Sequence, residues 1–192
     1  ALKAKIVSYA DDLVICCKTN AQQAMMEMQR MMRILKLTVN EAKTHIRTLP
    51  EERFDFLGYT FGRCYSPKSG RCYLGTRPSK KSLSRIIQAM HESIDRRWLW
   101  LKDEEMVQRL NRQLAGWANY FCLGPVSKSY EAIDQYTTNR LRKWLCWKHK
   151  VRNTGRTRYS HQYLYGELGL IHLARRTRHL PWNGGLMSCP RA

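Results

Sequence analysis

The chain has 192 residues, enough to bury a hydrophobic core and form one domain or two small ones. It carries 34 Lys and Arg against 15 Asp and Glu, and this net charge of +19 favours a polyanionic partner, above all nucleic acid. No run of about 18 apolar residues is present, so we expect no membrane-spanning helix and no membrane partner. The seven cysteines contain no C-x-x-C pair, which argues against a zinc ribbon, and their odd number indicates reduced thiols in a cytosolic protein.

Two adjacent carboxylates, Asp11 and Asp12, lie between two apolar stretches near the start of the chain. This pattern predicts a β-hairpin over residues 4–17 with the aspartates at its turn. Neighbouring like charges repel each other, and proteins tolerate that cost most readily where a divalent cation lies between them. The alternative is an ordinary solvated turn, because Asp-Asp pairs are common in turns. The residues themselves leave both interpretations open.

One helix and several extended elements are predicted to follow the hairpin. Thr19 or Asn20 is suited to cap a helix whose apolar face carries a methionine-rich stripe, which we interpret as core packing. Residues 37–49 alternate as a short extended element. Residues 54–62 are typical of one strand with a glycine bulge or bend, and residues 63–78 are typical of a hairpin around a Pro-Lys-Ser-Gly turn.

The pattern changes to helices after residue 78. Ser79 or Ser82 is expected to open the first helix, and Asp103 is expected to cap the second. A third helix is predicted from Ser127 to Lys148, followed by a basic loop and a short apolar element. The fold class is therefore α+β, with a boundary near residues 76–79.

Basic and aromatic residues alternate in the second half of the chain. Arg and Lys neutralise phosphates, and aromatic faces and guanidinium planes stack on unpaired bases. Each cation alone is an ordinary solvated charge, but together they predict an RNA-binding surface. Eight contacts to single-stranded RNA would give log K a slope of about −6 against log salt. The predicted RNA-binding cations are Lys80, Lys81, Arg85, Arg140, Arg142, Lys143, Lys148, Lys150, Arg152, Arg156 and Arg158, and the interleaved aromatic residues are Trp144, Trp147 and Tyr159.

Several motifs occur in the order typical of one enzyme family. Tyr-Ala-Asp-Asp-Leu-Val-Ile, a helix, Leu-x-x-x-x-x-Lys-Thr and Phe-Leu-Gly-Tyr together resemble the palm of reverse transcriptases. The later segments 114–121, 141–144, 165–170 and 180–182 are similar to the thumb and maturase region of bacterial group II intron-encoded reverse transcriptases. The resemblance covers nearly the whole chain and implies a partial palm over residues 1–78, followed by a helical thumb and maturase domain over residues 79–192.

The resemblance implies an RNA-directed DNA polymerase that uses two Mg²⁺ ions and also assists intron splicing. Asp11 would be the main metal ligand of the pair and Asp12 a supporting one. Lys43 would donate a proton to pyrophosphate or offset phosphate charge, unless it is an ordinary surface lysine. The implied partners are group II intron RNA, an RNA template, a DNA primer and dNTPs. Tyr9 and Ala10 would lie near the primer terminus and incoming nucleotide, and the implied primer grip is Phe56, Leu57, Gly58 and Tyr59.

One departure from the family pattern concerns what precedes the aspartate pair. The family's fingers and first palm aspartate lie upstream of this motif, so we expect a C-terminal fragment that is inactive as a polymerase by itself. Two alternatives remain open: a non-catalytic module that binds intron RNA, and another bacterial reverse transcriptase such as a retron type. The cysteine pattern predicts no HNH-type endonuclease domain. We expect a cytoplasmic ribonucleoprotein in a bacterium.

Overall fold

The N-terminal elements form a two-stranded hairpin followed by a helix. The computed structural model describes residues 4–66 and 69–176. Strands β1 (Ala4–Tyr9) and β2 (Asp12–Cys17) pair antiparallel, and helix α1 spans Ala21–Ile34. Asn20 caps α1, because its side chain accepts a hydrogen bond from the backbone N–H of Gln23 at 3.2 Å. The hairpin and one of the two predicted capping residues are thus confirmed.

The methionine stripe of α1 is only partly buried. Met28 is 6% exposed and packs as expected, whereas Met26 and Met31 are 58% and 44% exposed. Apolar residues of the hairpin are also exposed, Ile6 by 55%. The interpretation of the whole stripe as core packing is therefore wrong for two of its members within the described structure.

A three-stranded antiparallel sheet follows, and it corrects two predictions. Residues 37–49 form no strand; their central part is a short 3-10 helix, Glu41–Lys43. The predicted single strand over residues 54–62 is two strands, β3 (Phe54–Phe56) and β4 (Tyr59–Tyr65), joined by a two-residue turn. Both turn residues have positive φ, which matches the right-handed twist of a tight hairpin and reverses the chain completely.

The predicted hairpin over residues 63–78 is confirmed. Strand β5 (Cys72–Pro78) pairs with β4 in the register Tyr65 to Cys72 and Tyr59 to Pro78. Residues 67 and 68 of the intervening turn lie outside the described structure. The sheet order is β3-β4-β5.

Three long helices make the second half. Helix α2 spans Lys80–Ser93, α3 spans Asp103–Tyr120 and α4 spans Ser127–Lys148, with both ends of α4 as predicted. A short helical turn at Arg96–Trp98 joins α2 to α3, and two more follow α4, at Tyr163–Glu167 and α5 (Leu173–Arg176). Within the described ranges, no helix is both long and apolar enough to span a bilayer. The architecture is α+β, as the sequence predicts.

The helix starts agree with the sequence in one case and differ in another. Ser79 caps α2, and its side chain accepts from the N–H of Ser82 at 3.1 Å. Asp103 is not the cap of α3, since it is the first helical residue. Glu105 instead accepts from the N–H of Lys102 at 3.0 Å, which leaves the Asp103 carboxylate for contacts with α4.

One hydrophobic core unites α2, α3, α4 and the segment that follows. Its fully buried side chains include Met90, Leu110, Leu141, Trp144 and Leu164. The predicted boundary near residues 76–79 falls where β5 passes into α2. Contacts cross this point, because the N–H of Ser79 donates to the carbonyl of Gly58 at 2.8 Å. The small sheet is therefore held against the helical half.

Candidate functional site

The aspartate pair lies at the end of the N-terminal hairpin. Tyr9 pairs with Asp12, so Ala10 and Asp11 form the two-residue turn. Ala10 adopts φ 47°, a left-handed conformation that costs a non-glycine residue about 1–2 kcal/mol. All four side chains are exposed, and Tyr9 is 65% exposed. The hairpin thus presents two carboxylates and an aromatic ring to the surroundings.

The donor set at this turn matches part of a magnesium site. Carboxylate oxygens are hard ligands, and Mg²⁺ is commonly held by one or two carboxylates, with waters and substrate phosphates completing its octahedron. Among residues 4–66 and 69–176, no group of three or more His, Cys, Asp or Glu side chains is placed to hold a metal. Asp11 and Asp12 therefore suit two ligand positions and leave the others to further groups.

Lys43 is not bonded to the aspartate pair in the described structure. It is the last residue of the 3-10 helix and its side chain is exposed. The helix is closed by Thr44, whose hydroxyl donates to the carbonyl of Asn40 at 2.9 Å. Within the described ranges, no hydrogen bond or ion pair joins Lys43 to either aspartate.

The β3–β4 turn, predicted as a primer grip, is fixed by residues of the helical half. Leu57 and Gly58 have φ of 49° and 79°. The carbonyl of Leu57 accepts from the hydroxyl of Tyr120 at 2.9 Å, and that of Gly58 accepts from the hydroxyl of Ser82 at 2.9 Å. These bonds tie the turn to the start of α2 and the end of α3.

Gly58 has two structural reasons to lack a side chain. Its positive φ favours glycine, and a Cβ would lie 2.9 Å from the Ser82 hydroxyl oxygen and 3.0 Å from the Phe121 ring. The atoms that approach Gly58 so closely belong to this chain itself.

Tyr59 and Phe56 serve the packing around this turn. Tyr59 is 6% exposed, and its hydroxyl donates to the carbonyl of Tyr120 at 2.5 Å. Burial raises the pKa of Tyr59, which keeps the phenol protonated as a donor. Phe56 is half-buried. The Tyr59 side chain is directed toward Tyr120. Only part of the Tyr59 side chain is therefore left for an external ligand.

The predicted cations of α2 and of the loop after α4 are exposed. On α2 they occupy the first two turns, and on α4 the exposed member is Lys143. The loop after α4 includes Lys150, which has φ 52°. The exposed cations among those predicted to bind RNA are Lys80, Lys81, Arg85, Lys143, Lys150, Arg152, Arg156 and Arg158.

Trp147 is in contact with two arginines. The guanidinium carbon of Arg96 is 4.4 Å from the centre of the indole ring, and that of Arg140 is 5.8 Å from it. A guanidinium nitrogen of Arg140 lies 3.4 Å from Nε2 of His91, whose Nδ1 lies 2.8 Å from the hydroxyl of Tyr136. Arginine only donates, so this contact requires the imidazole Nε2 to accept. The cluster brings α2, the 3-10 turn and α4 together at one surface.

Arg142 does not belong to the exposed set. It is 8% exposed, and its Nε donates to the carbonyl of Tyr159 at 2.8 Å. Burial lowers the pKa of this guanidinium from its ordinary value. Tyr159 is itself 3% exposed and Trp144 fully buried, so neither ring is open to a base. The predicted RNA contact of Arg142 is thus contradicted by its position.

Lys148 is also committed to contacts within the chain. Its ammonium lies 3.3 Å from a carboxylate oxygen of Asp103 and 5.1 Å from the centre of the Trp144 ring, and it donates to the carbonyl of Leu101. The other carboxylate oxygen of Asp103 lies 2.9 Å from Nε2 of His149. This group fastens the end of α4 to the start of α3.

Two family models match this chain. The model of the reverse transcriptase (RNA-dependent DNA polymerase) family matches residues 1–61, and the model of the group II intron, maturase-specific domain matches residues 83–164. The chain belongs to the group II intron reverse transcriptase/maturase family. A search of curated proteins found no match.

The two matches contain different candidate site residues of this reverse transcriptase/maturase, and only Lys80 and Lys81 lie between them. The reverse transcriptase match contains the aspartate turn, Lys43 and the β3–β4 turn, while the maturase match contains the Trp147 cluster. No hydrogen bond or ion pair joins the two turns among the described residues. The resemblance stated from the sequence motifs is confirmed.

Residues that the sequence analysis did not select contribute to the maturase-domain surface. Arg96 and His91 join Arg140 at Trp147, although each lies more than 40 positions away along the chain. The Arg-Arg-Trp run at residues 96–98 is the sequence feature that indicates a basic and aromatic surface here. The direction in which its side chains point depends on the 3-10 turn between α2 and α3.

Proposed function

We propose that this protein acts as an RNA-directed DNA polymerase and intron-splicing maturase, and that its helical half binds the structured RNA of a group II intron. The observation that carries the proposal is the exposed basic face around Trp147. We define the basic face as the surface formed by His91, Arg96, Arg140, Lys143 and Trp147.

The chemistry of the basic face suits RNA. A guanidinium stacked on an indole keeps its N–H edge available, and that edge matches a phosphate in bidentate fashion. Stacking also preorganises the two arginines, which reduces the side-chain freedom lost on binding. Exposed Lys143 and the loop cations from Lys150 onward extend the charge along the RNA backbone. Splicing assistance would follow from holding the intron RNA in its folded form.

The polymerase part of the proposal rests on the aspartate turn. Asp11 and Asp12 would hold Mg²⁺, which when bound activates the primer hydroxyl and stabilises the pyrophosphate. The exposed Tyr9 and Ala10 would contact the primer terminus and incoming dNTP. The β3–β4 turn would support the primer against the template through its backbone, and Lys43 would offset phosphate charge.

A second candidate is a non-catalytic module that binds intron RNA. It is favoured by the donor set, because the described residues provide two carboxylates at the turn and no third metal-binding side chain beside them. This candidate shares the basic face with the first and differs only in polymerase activity.

Salt-dependent binding to intron RNA tests the part common to both candidates. Eight predicted RNA-binding cations lie from residue 140 onward, and two of them, Arg142 and Lys148, are used in contacts within the chain. With the remaining six, log K for single-stranded RNA should fall with a slope of about −4 against log salt. Binding should be tighter to a group II intron RNA than to an unrelated structured RNA of equal length. Binding without salt dependence would refute the basic face as the RNA-binding surface.

Primer extension with Mg²⁺ separates the two candidates. The polymerase proposal expects that the chain by itself does not extend a DNA primer on an RNA template, and that a version extended by an upstream palm segment with a further carboxylate does. In the extended version, Asp11→Asn should abolish extension and the matched control Glu27→Gln, whose carboxylate lies on the exposed side of α1, should keep it. RNA binding should be equal in both variants. RNA binding without extension by the extended version would support the non-catalytic module, and extension by the unaltered chain alone would contradict the expectation that it is inactive by itself.

A further inference from the structure

A groove lies between α2, α3 and the 3-10 turn that joins them. Its volume is about 650 Å³, within the range of sites that hold small organic groups. Apolar side chains contribute part of the lining, and charged or amide side chains contribute the rest. The lining residues used below are Ala89, Ser93, Arg97, Trp98, Arg109 and Gln113.

An aromatic ring and a cation meet at this groove. The guanidinium carbon of Arg109 lies 4.1 Å from the centre of the Trp98 ring. Trp98 also contacts the exposed ring of Trp100, with centroids 6.1 Å apart. A planar ligand with acceptor atoms suits the pair of Trp98 and Arg109, because it can stack on the aromatic and guanidinium planes and accept N–H bonds from the guanidinium.

Polar groups able to read the edge of a base also line the groove. Ser93 and Gln113 are joined by contacts of 3.2 and 2.9 Å between the Ser93 hydroxyl and the Gln113 amide oxygen and nitrogen. The hydroxyl and amide provide donors and acceptors together, as the edges of nucleobases do. Nothing in the RNA contacts proposed above uses these groups.

The groove is adjacent to the basic face through one short turn. Arg96 contacts Trp147 on the basic face, whereas Arg97 and Trp98, the next two residues, line the groove. A strand that crosses the basic face can therefore reach the groove by passing over this turn. The two groove arginines are suited to the phosphates on either side of an inserted base.

We propose that this groove takes one unpaired nucleobase of the bound RNA, with the adjacent phosphates on Arg97 and Arg109. The inference rests on the proposed function, since it assumes an RNA strand on the basic face. It adds a base-reading position to a surface otherwise made of phosphate contacts.

Filling the groove tests the proposal. Ala89→Leu adds bulk at the groove without changing charge and keeps a good helix former in α2. Fluorescence anisotropy should give about tenfold weaker binding of RNA homopolymer decamers to this variant, as expected for a lost stacking contact. Binding of an abasic ribose-phosphate decamer should stay unchanged. Gln135→Leu, at an exposed position of α4, is the matched control and should bind both decamers like the unaltered chain.

A second pair of variants covers the case in which Ala89→Leu fails to fold. Arg109→Gln and Arg112→Gln remove the same charge from the same helix, but only Arg109 lines the groove, and Arg112 is exposed. In the proposal a phosphate reaches Arg109 only beside an inserted base. Arg109→Gln should therefore lower the preference for base-bearing over abasic decamers about fivefold or more, and Arg112→Gln should leave it unaltered. Circular dichroism and thermal unfolding identify the folded variants.

Three results would overturn the inference. The first is a folded Ala89→Leu that binds homopolymers as tightly as the unaltered chain, and the second is equal loss of preference in both arginine variants. The third is a groove variant that weakens binding of a decaglutamate peptide while RNA binding is kept, which would assign the groove to an acidic protein segment. The proposed function fails separately, if the unaltered chain binds no RNA in a salt-dependent way.

Discussion

Arg142 and Lys143 are neighbours in α4 with the same charge and opposite surroundings. Arg142 is 8% exposed and donates to the carbonyl of Tyr159, whereas Lys143 is exposed. The changes Arg142→Met and Lys143→Met each remove one positive charge and keep a good helix former. The structure predicts that the first lowers stability and the second lowers RNA affinity.

The expected magnitudes follow from what each cation contacts. Arg142→Met leaves the buried Tyr159 carbonyl without its charged donor, which should cost about 2 kcal/mol. For a chain of this size that is a fall in Tm of about 4–8 °C. Lys143→Met removes one phosphate contact, so the salt slope should become shallower by about 0.7, which is roughly a fivefold loss of affinity at 0.1 M salt.

Thermal unfolding and RNA titrations at several salt concentrations check both values. Lys143→Met should unfold within about 1–2 °C of the unaltered chain, since exposed substitutions usually change stability by less than about 0.5 kcal/mol. Arg142→Met should keep the salt slope of the unaltered chain at temperatures where it is folded. The reasoning is refuted if Arg142→Met leaves Tm unchanged and makes the slope shallower as Lys143→Met does.

Three further predictions concern the turns and a buried acid. Gly124→Ala should destabilise the protein by roughly 2 kcal/mol or more in urea unfolding, because the φ of Gly124 is 76° and a Cβ there would overlap a carbonyl of β5. Gly116 lies in α3 with open space around it, so Gly116→Ala should be neutral or stabilising. Equal effects of the two changes would contradict this reasoning. Tyr120→Phe removes the hydroxyl that donates to Leu57 and should cost about 1 kcal/mol by the same measurement, while no loss would mean that this bond is unimportant for the turn. Burial raises the pKa of Asp134, so ionisation of this carboxyl opposes folding. The stability of the unaltered chain relative to Asp134→Asn should therefore fall as pH rises from about 4 through the raised pKa. A urea midpoint of the unaltered chain that rises relative to that of Asp134→Asn over this pH range would refute the prediction.

Local patterns predicted several elements correctly. The N-terminal hairpin, the hairpin of β4 and β5, and helix α4 from Ser127 to Lys148 all follow from periodicity and turn residues. These elements are formed by neighbours in the chain, so their signals lie within a short window.

Other elements could not be predicted from the same window. The sequence of residues 54–62 is equally compatible with one bent strand and with two short strands. The reversal at Leu57 and Gly58 is stabilised by Ser82 and Tyr120, which are distant in sequence. Asp103 has the residue type of a cap, but its carboxylate is used by Lys148 and His149.

The sequence by itself determined the family, the α+β class, the position of the carboxylate pair at a turn, and the excess of positive charge toward the C-terminal end. Only the tertiary structure decided which cations face outward. Successive helix residues differ by about 100° in direction, so Arg142 and Lys143 point to different sides, and the packing of α4 against the segment containing Tyr159 decides which side is buried. The same packing brings Arg96 and His91 to Trp147, because residues remote in the chain become neighbours only when the helices associate.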